Sequence, residues 1–96
     1  MATLTLTGVF GPVTTPFTAS ETPDLVGFVS NLRSHFAHGL HGIVICGSTG
    51  EAALVDEAER AALLETARSA VPAGRLLLMG TGAESTKQCV ARCRDA

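Results

Sequence analysis

The pentapeptide Gly47-Ser48-Thr49-Gly50-Glu51 sets two adjacent hydroxyls between glycines, directly after the apolar run Gly42-Ile43-Val44-Ile45-Cys46. Such a run reads as a buried strand, and the helical pattern after it makes the pentapeptide a strand-to-helix turn. Ligands of α/β folds sit outside the carboxyl ends of the strands. Two hydroxyls and free backbone N–H groups at that place suit a small carboxylate or phosphate, because each would be a charge-assisted donor. Gly50, and Gly47 on the other side, would permit close backbone approach or a left-handed φ.

The same kind of residue recurs where two further strands should end. Thr14 and Thr15 follow the first, and Thr81 follows the third within Gly80-Thr81-Gly82. In a parallel sheet these turns share one end, where barrel active sites are built. Ordinary turn chemistry also favours Ser, Thr and Gly, so spacing alone leaves a site and plain turns both open. Nucleotide motifs do not fit. No Gly-Lys-Ser/Thr follows Gly50, and the third glycine of a dinucleotide fingerprint would fall on Ser85.

Other reactive residue types read as structural. His35, His38 and His41 are spaced H-x-x-H-x-x-H and read as helix-end histidines favoured by the helix dipole, not as a metal site. Cys46, Cys89 and Cys93 form no C-x-x-C pair and read as thiols without metal or disulfide. Lys87, the only lysine, falls in the first turn of the last helix and reads as solvated, whereas a nucleophilic amine needs a desolvated pocket. Glu57, Glu59, Arg60, Glu65 and Arg68 read as a solvated helix face.

The elements that must position the hydroxyls alternate strand and helix. The first strand is expected over residues 8–15, stopped by Pro16, with a turn over residues 18–22. Pro23 and Asp24 open a helix, Asp24 as N-cap, with Leu25, Phe28, Val29, Leu32 and Phe36 in one stripe and Gly39 as C-cap. The second strand covers residues 43–46. Asp56 and Glu59 form a D-x-x-E capping box for a helix whose apolar face is Leu63, Leu64, Ala67 and Val71 and which residues 72–74 end. The third strand is Leu76–Met79, and Ser85 with Gln88 forms a second capping box. Strands starting near Val9, Ile43 and Leu76 give one unit per roughly 33 residues, the alternation of a parallel sheet.

With 96 residues and 46% hydrophobic content the chain is one small unit able to build a core. A formal net charge of −2 with scattered Lys and Arg offers no footprint for nucleic acid or a membrane surface. No apolar run is long enough to span a bilayer, and residues 1–7 lack the basic and apolar regions of a secretory signal. The expectation is a cytoplasmic protein with a flexible leader over residues 1–7. Three units cannot close a barrel, which typically takes ~250 residues. The last strand would keep an unpaired edge, so the chain reads as the first third of a larger domain.

Taken together, Gly8-Val9-Phe10-Gly11-Pro12-Val13-Thr14-Thr15-Pro16-Phe17, the Gly47–Glu51 loop, Leu54, Glu59-Arg60 and Gly80-Thr81-Gly82 resemble the dihydrodipicolinate synthase/N-acetylneuraminate lyase family. The resemblance runs from Gly8 to the last residue. It implies that residues 1–96 are the N-terminal three βα units of a single (β/α)8 barrel domain, truncated, in an enzyme that is usually a homotetramer. It implies a class I aldolase that joins a lysine to pyruvate or another 2-oxo acid as a Schiff base and then makes or breaks a carbon–carbon bond with an aldehyde partner, without cofactor or metal. By the same resemblance Gly47, Ser48 and Thr49 bind the substrate carboxylate, and Ser48 also relays a proton between tyrosines. Residues 75–86 look most like the 4-hydroxy-2-oxoglutarate aldolase branch. The Ser48-Thr49 pair leaves the branch open, since Ser-Thr is also the neuraminate lyase form and hydroxyoxoglutarate aldolases prefer Asn at the position of Thr49.

This chain departs from the pattern in two ways. The family's Schiff-base lysine lies on the sixth strand, beyond residue 96, and the chain has no tyrosine. On its own it is expected to be inactive. The competing expectations are an N-acetylneuraminate lyase-like sugar-acid aldolase, or a non-catalytic flavodoxin-like binding module.

Overall fold

The computed structural model describes residues 3–96. Three strands, β1 (Phe10–Pro12), β2 (Gly42–Ile45) and β3 (Leu76–Met79), form one parallel sheet in sequential order. Three helices, α1 (Leu25–Ala37), α2 (Glu57–Ala70) and α3 (Thr86–Asp95), each follow a strand. The register sets Phe10 beside Gly42 and Gly42 beside Leu76, so the strands start level and the three strand-to-helix turns emerge together. The leader expected over residues 1–7 falls partly outside the described residues; residues 3–7 are exposed and carry no helix or strand.

β1 is shorter than the expected 8–15. It pairs only with β2, and the ladder ends where the Val13 N–H donates to the Val44 carbonyl at 2.9 Å. Pro12 fits because its missing N–H costs little on an edge strand. β2 is shifted one residue from the expected 43–46, because Cys46 turns out of the ladder with a left-handed φ of 53°. β3 matches its expected bounds.

Asp24 caps α1 as expected, accepting from the Gly27 N–H at 3.0 Å. Pro23 stays outside the helix, in an isolated bridge to Phe17. The C-cap is His38, and Gly39 follows it at φ 85°, one position beyond its expected place. The α2 capping box forms in both directions, Glu59 N–H to Asp56 at 2.8 Å and Asp56 N–H to Glu59 at 2.9 Å. For α3 only half of the expected box forms. The Gln88 N–H donates to Ser85 Oγ at 3.1 Å, and no return bond from the Gln88 side chain is present among the described residues.

The core is Val13, Phe28, Leu32, Ile43, Ile45, Cys46, Val55, Leu63 and Ala67. All of it lies between β1 and α2. Phe28 and Leu32 are one helical turn apart on α1, as are Leu63 and Ala67 on α2, so each helix turns one stripe onto the sheet. β3 is only half-buried along its length, and α3 buries no residue.

Candidate functional site

The β2–α2 turn carries two of the three non-glycine residues with left-handed φ among the described residues. Cys46 and Glu51 both take left-handed φ, 53° and 57°, a conformation costing a non-glycine residue roughly 1–2 kcal/mol. Of the two uses expected of Gly47 and Gly50, the left-handed φ falls on Cys46 and Glu51 instead. Gly50 does serve close approach, since a Cβ there would stand 3.0 Å from the Val13 carbonyl. Gly47 shows neither requirement. Between the two strained residues, Glu51 N–H donates to Ser48 O at 3.0 Å and Ala52 N–H to Gly47 O at 3.2 Å. A single 3₁₀ turn, Ala52–Leu54, not expected from the sequence, then leads to Asp56.

Thr15 pins this loop from β1. Its buried Oγ1 donates to the Gly50 carbonyl at 2.7 Å. Thr81 is committed too, because Cys93 Sγ donates to its Oγ1 at 3.3 Å. Of the hydroxyls that the sequence brings to this end, those two hold structure. Ser48 and Thr49 are exposed, and among the described residues neither hydroxyl has a protein partner. The loop's backbone bonds do not use the N–H groups of Ser48, Thr49 or Gly50 either. Thr14 is exposed on the neighbouring turn.

The second and third turns enclose a cleft of about 680 Å³ whose lining includes Gly47, Ser48, Ala53, Gly80, Gly82 and Arg92. Ser48 and Gly47 face this space and Thr49 does not line it. The two turns approach closely at Gly80, where a Cβ would collide with the Cys46 carbonyl. Gly80 N–H also donates to Ile45 O at 2.9 Å. Burial pushes the Cys46 thiol above its ordinary pKa, and Arg60 and Arg92 pull back against that shift.

Arg60 does not belong to a solvated face. It is 3% exposed, with Nη2 donating to Gly80 O at 2.7 Å, Nε 3.6 Å from Glu57 and Nη1 buried without a partner. Spacing carried a signal for this. Arg60 precedes Leu63 by three residues and Ala67 by seven, which puts it on the buried face of α2. Lys87 is exposed on α3. His35 and His38 donate from Nδ1 to the carbonyls of Asn31 and Ser34, one turn back along the chain. Among the described residues no three His, Cys, Asp or Glu side chains stand where they could hold a metal ion. Nor is any described helix long and apolar enough to cross a membrane.

Comparison with known proteins agrees with this architecture. Residues 5–96 match the model of the dihydrodipicolinate synthetase family. A 4-hydroxy-tetrahydrodipicolinate synthase of Sorangium cellulosum is 37% identical, over 100% of this chain and 32% of that protein. Among solved structures, YagE is a prophage protein of E. coli K12 in the dihydrodipicolinic acid synthase family, captured in complex with pyruvate. It superposes with a TM-score of 0.87 at 28% identity, over 95% of this chain and 30% of its own. The N-acetylneuraminate lyase of Proteus mirabilis superposes with a TM-score of 0.85 at 26% identity, over 94% and 30%. The chain therefore spans about a third of the length of the relatives it matches. Its three βα units correspond to the N-terminal part of their (β/α)8 barrels. A parallel three-stranded sheet with sequential strand order, matched over nearly its whole length by the family model and these barrels, places this chain in the dihydrodipicolinate synthetase family.

Proposed function

We propose that this chain supplies the carboxylate-binding turn of a class I aldolase that acts on pyruvate or a related 2-oxo acid with an aldehyde partner. The observation that carries the reading is the uncommitted donor set of Ser48 and Thr49 at the end of the central strand. The turn around them is fixed by two strained residues and by the Thr15 pin. Preset donors cost little reorganisation when an anion arrives, the condition under which such contacts are most effective. The pyruvate held by YagE, the synthase names of the relatives and the neuraminate lyase match support the substrate class.

In this reading the hydroxyls and N–H groups of Ser48 and Thr49 donate hydrogen bonds to the substrate carboxylate, and Ser48 relays a proton. The amine that forms the Schiff base is not Lys87, which stands in solvent on α3. It comes from outside these 96 residues. Ser48 serves equally in a hydroxyoxoglutarate or a dipicolinate-type reaction, and the aldehyde is chosen by other loops.

The test is intact mass spectrometry of the natively produced protein after incubation with pyruvate and borohydride. Borohydride delivers hydride to an imine carbon and leaves a stable secondary amine. One reduced pyruvate per chain is expected, and its absence overturns the reading. In the same protein Thr49→Val removes a charge-assisted donor worth roughly 1.5–3 kcal/mol. The KM for pyruvate should rise about 10- to 100-fold, and an unchanged KM removes Thr49 from the role.

A further inference from the structure

The Gly80-Thr81-Gly82 turn is gripped from two helices. From α2, Arg60 Nη2 donates to Gly80 O at 2.7 Å. From α3, Arg92 Nη1 donates to Gly82 O. The carbonyls on either side of Thr81 thus each accept from a guanidinium. One carboxylate orients both: Glu57 Oε1 accepts from Arg92 Nε and Nη2 at 2.9 and 2.7 Å, and Glu57 Oε2 faces Arg60 Nε at 3.6 Å. A third contact joins Cys93 to Thr81 itself.

We infer that Glu57, Arg60 and Arg92 are positioning residues that set the distance between the third turn and the Ser48 loop. This inference rests on the 2-oxo acid reading of that loop. Three observations support positioning over plain stabilisation. Arg60 is buried while its Nη1 has no partner among the described residues, an arrangement that costs free energy. Glu57 is more than half exposed, so its 3.6 Å pairing with Arg60 adds little to stability. The clamp also acts at the tightest approach between the two turns. Gly80 lies against the Cys46 carbonyl and is bonded to Ile45 O, so a displaced Gly80 pushes on the residue that starts the Ser48 loop. Gly80, Gly82, Gly47 and Ser48 then line one cleft, and the clamp fixes its width.

The experiment compares wild type, Arg60→Met, Arg60→Lys and Glu57→Gln in the natively produced protein by three readouts. These are thermal unfolding, amide exchange by mass spectrometry, and the KM and kcat of the pyruvate reaction. Arg60→Met, which loses the bond to Gly80 O, should unfold only slightly earlier than wild type. Exchange of the Gly80 amide, which is bonded to Ile45 O, should nevertheless rise at least about tenfold while β2 keeps its protection. KM should rise severalfold with a smaller change in kcat. Arg60→Lys, which can still reach Gly80 O but cannot face Glu57 as a fork, should recover part of the KM. Glu57→Gln should loosen the same amide, since both arginines lose their shared anion. Unchanged exchange at Gly80 overturns the clamp. A fall in stability with loss of protection throughout β2 also overturns it, in favour of a purely structural ion pair. If wild type forms no borohydride adduct, the 2-oxo acid reading fails, and the exchange arm still decides whether the clamp exists.

Discussion

The molecule has one finished side and one unfinished side. From β1 through α2, every helix stripe meets a strand and the nine core residues close on one another. From β3 onward the same sequence logic leaves its product half-built. Leu76, Leu77, Leu78 and Met79 are as apolar as Ile43 and Ile45, yet all four stay half-buried, and α3 buries nothing. The difference is in partners rather than in residue type. β2 is paired on both edges, whereas β3 is paired on one. The two free hydroxyls of the candidate site belong to the finished side, while the turn across the cleft from Ser48 is held by the arginine clamp, by the Cys93–Thr81 contact and by the Gly80–Ile45 bond. The Ser48 loop is anchored at a buried residue of the core, Cys46, and by the Thr15 pin, and its neighbour mainly by contacts from α2 and α3.

The strongest way to break this comparison is to cut the core on each side. Leu63→Ala should lower stability by about 2–5 kcal/mol, because Leu63 is fully buried and its neighbours cannot all collapse. Leu78→Ala should cost about 1 kcal/mol or less, since much of that side chain already meets solvent. Denaturant titration of both variants measures the difference. Equal losses would mean that β3 is covered in solution and that the contrast is not a property of the folded protein.

Much of this division was legible in the residues, for physical reasons. Strands with long apolar side chains and helices with paired caps announce themselves, so β3, the Asp24 cap and the Asp56–Glu59 box stand where the spacing put them. Edges were less legible. Residues 8–15 look like a strand throughout, yet a strand paired on one side stops where its ladder stops, at Val13. The site loop was legible by residue type and not by backbone. Glycines at 47 and 50 suggested close approach or a left-handed φ; Gly50 serves the first, while tertiary constraints placed the second on Cys46 and Glu51. Arg60 was obscured by its charge, although its spacing to Leu63 and Ala67 was that of a core position. Which hydroxyls are free could not be read at all, because Thr15 and Thr81 differ from Ser48 only in the partners brought to them by residues 35 and 12 positions away.

A smaller contrast should appear at the helix caps. Asp56→Ala removes half of a reciprocal box and should cost about 1–2 kcal/mol. Because α2 carries Leu63 and Ala67 into the core, that loss should be felt as global destabilisation. Ser85→Ala also removes a cap, but α3 is tied down by few contacts, so the variant should fray locally with a global change within about 0.5 kcal/mol. Native-state amide exchange separates the two cases. If the Ser85 variant lowers protection in α1 and β2, then α3 is part of the cooperative unit and the division into two sides must be redrawn.

The thiols sharpen the comparison at its finest scale. Cys46 is 2% exposed at the end of β2, Cys89 is half-buried on α3 and Cys93 is exposed there. Burial holds the Cys46 thiol above its ordinary pKa, with Arg60 and Arg92 opposing, so at neutral pH it is both sheltered and protonated. Alkylation by iodoacetamide needs thiolate and access together. Cys93 should react first and Cys89 next, with Cys46 at least about a hundredfold slower, through opening of the finished side. The raised pKa also fixes a sign. As pH climbs past the ordinary thiol value, the unfolded chain releases this proton before the folded chain does. The folded state then binds more protons, and this thiol's contribution to stability is lost with rising pH. Cys46→Ala should flatten that alkaline decline, apart from the constant cost of its cavity. Rapid labelling of Cys46 at neutral pH would show that the strained turn opens easily, and the Ser48 loop could not then be the rigid partner against which the third turn is clamped.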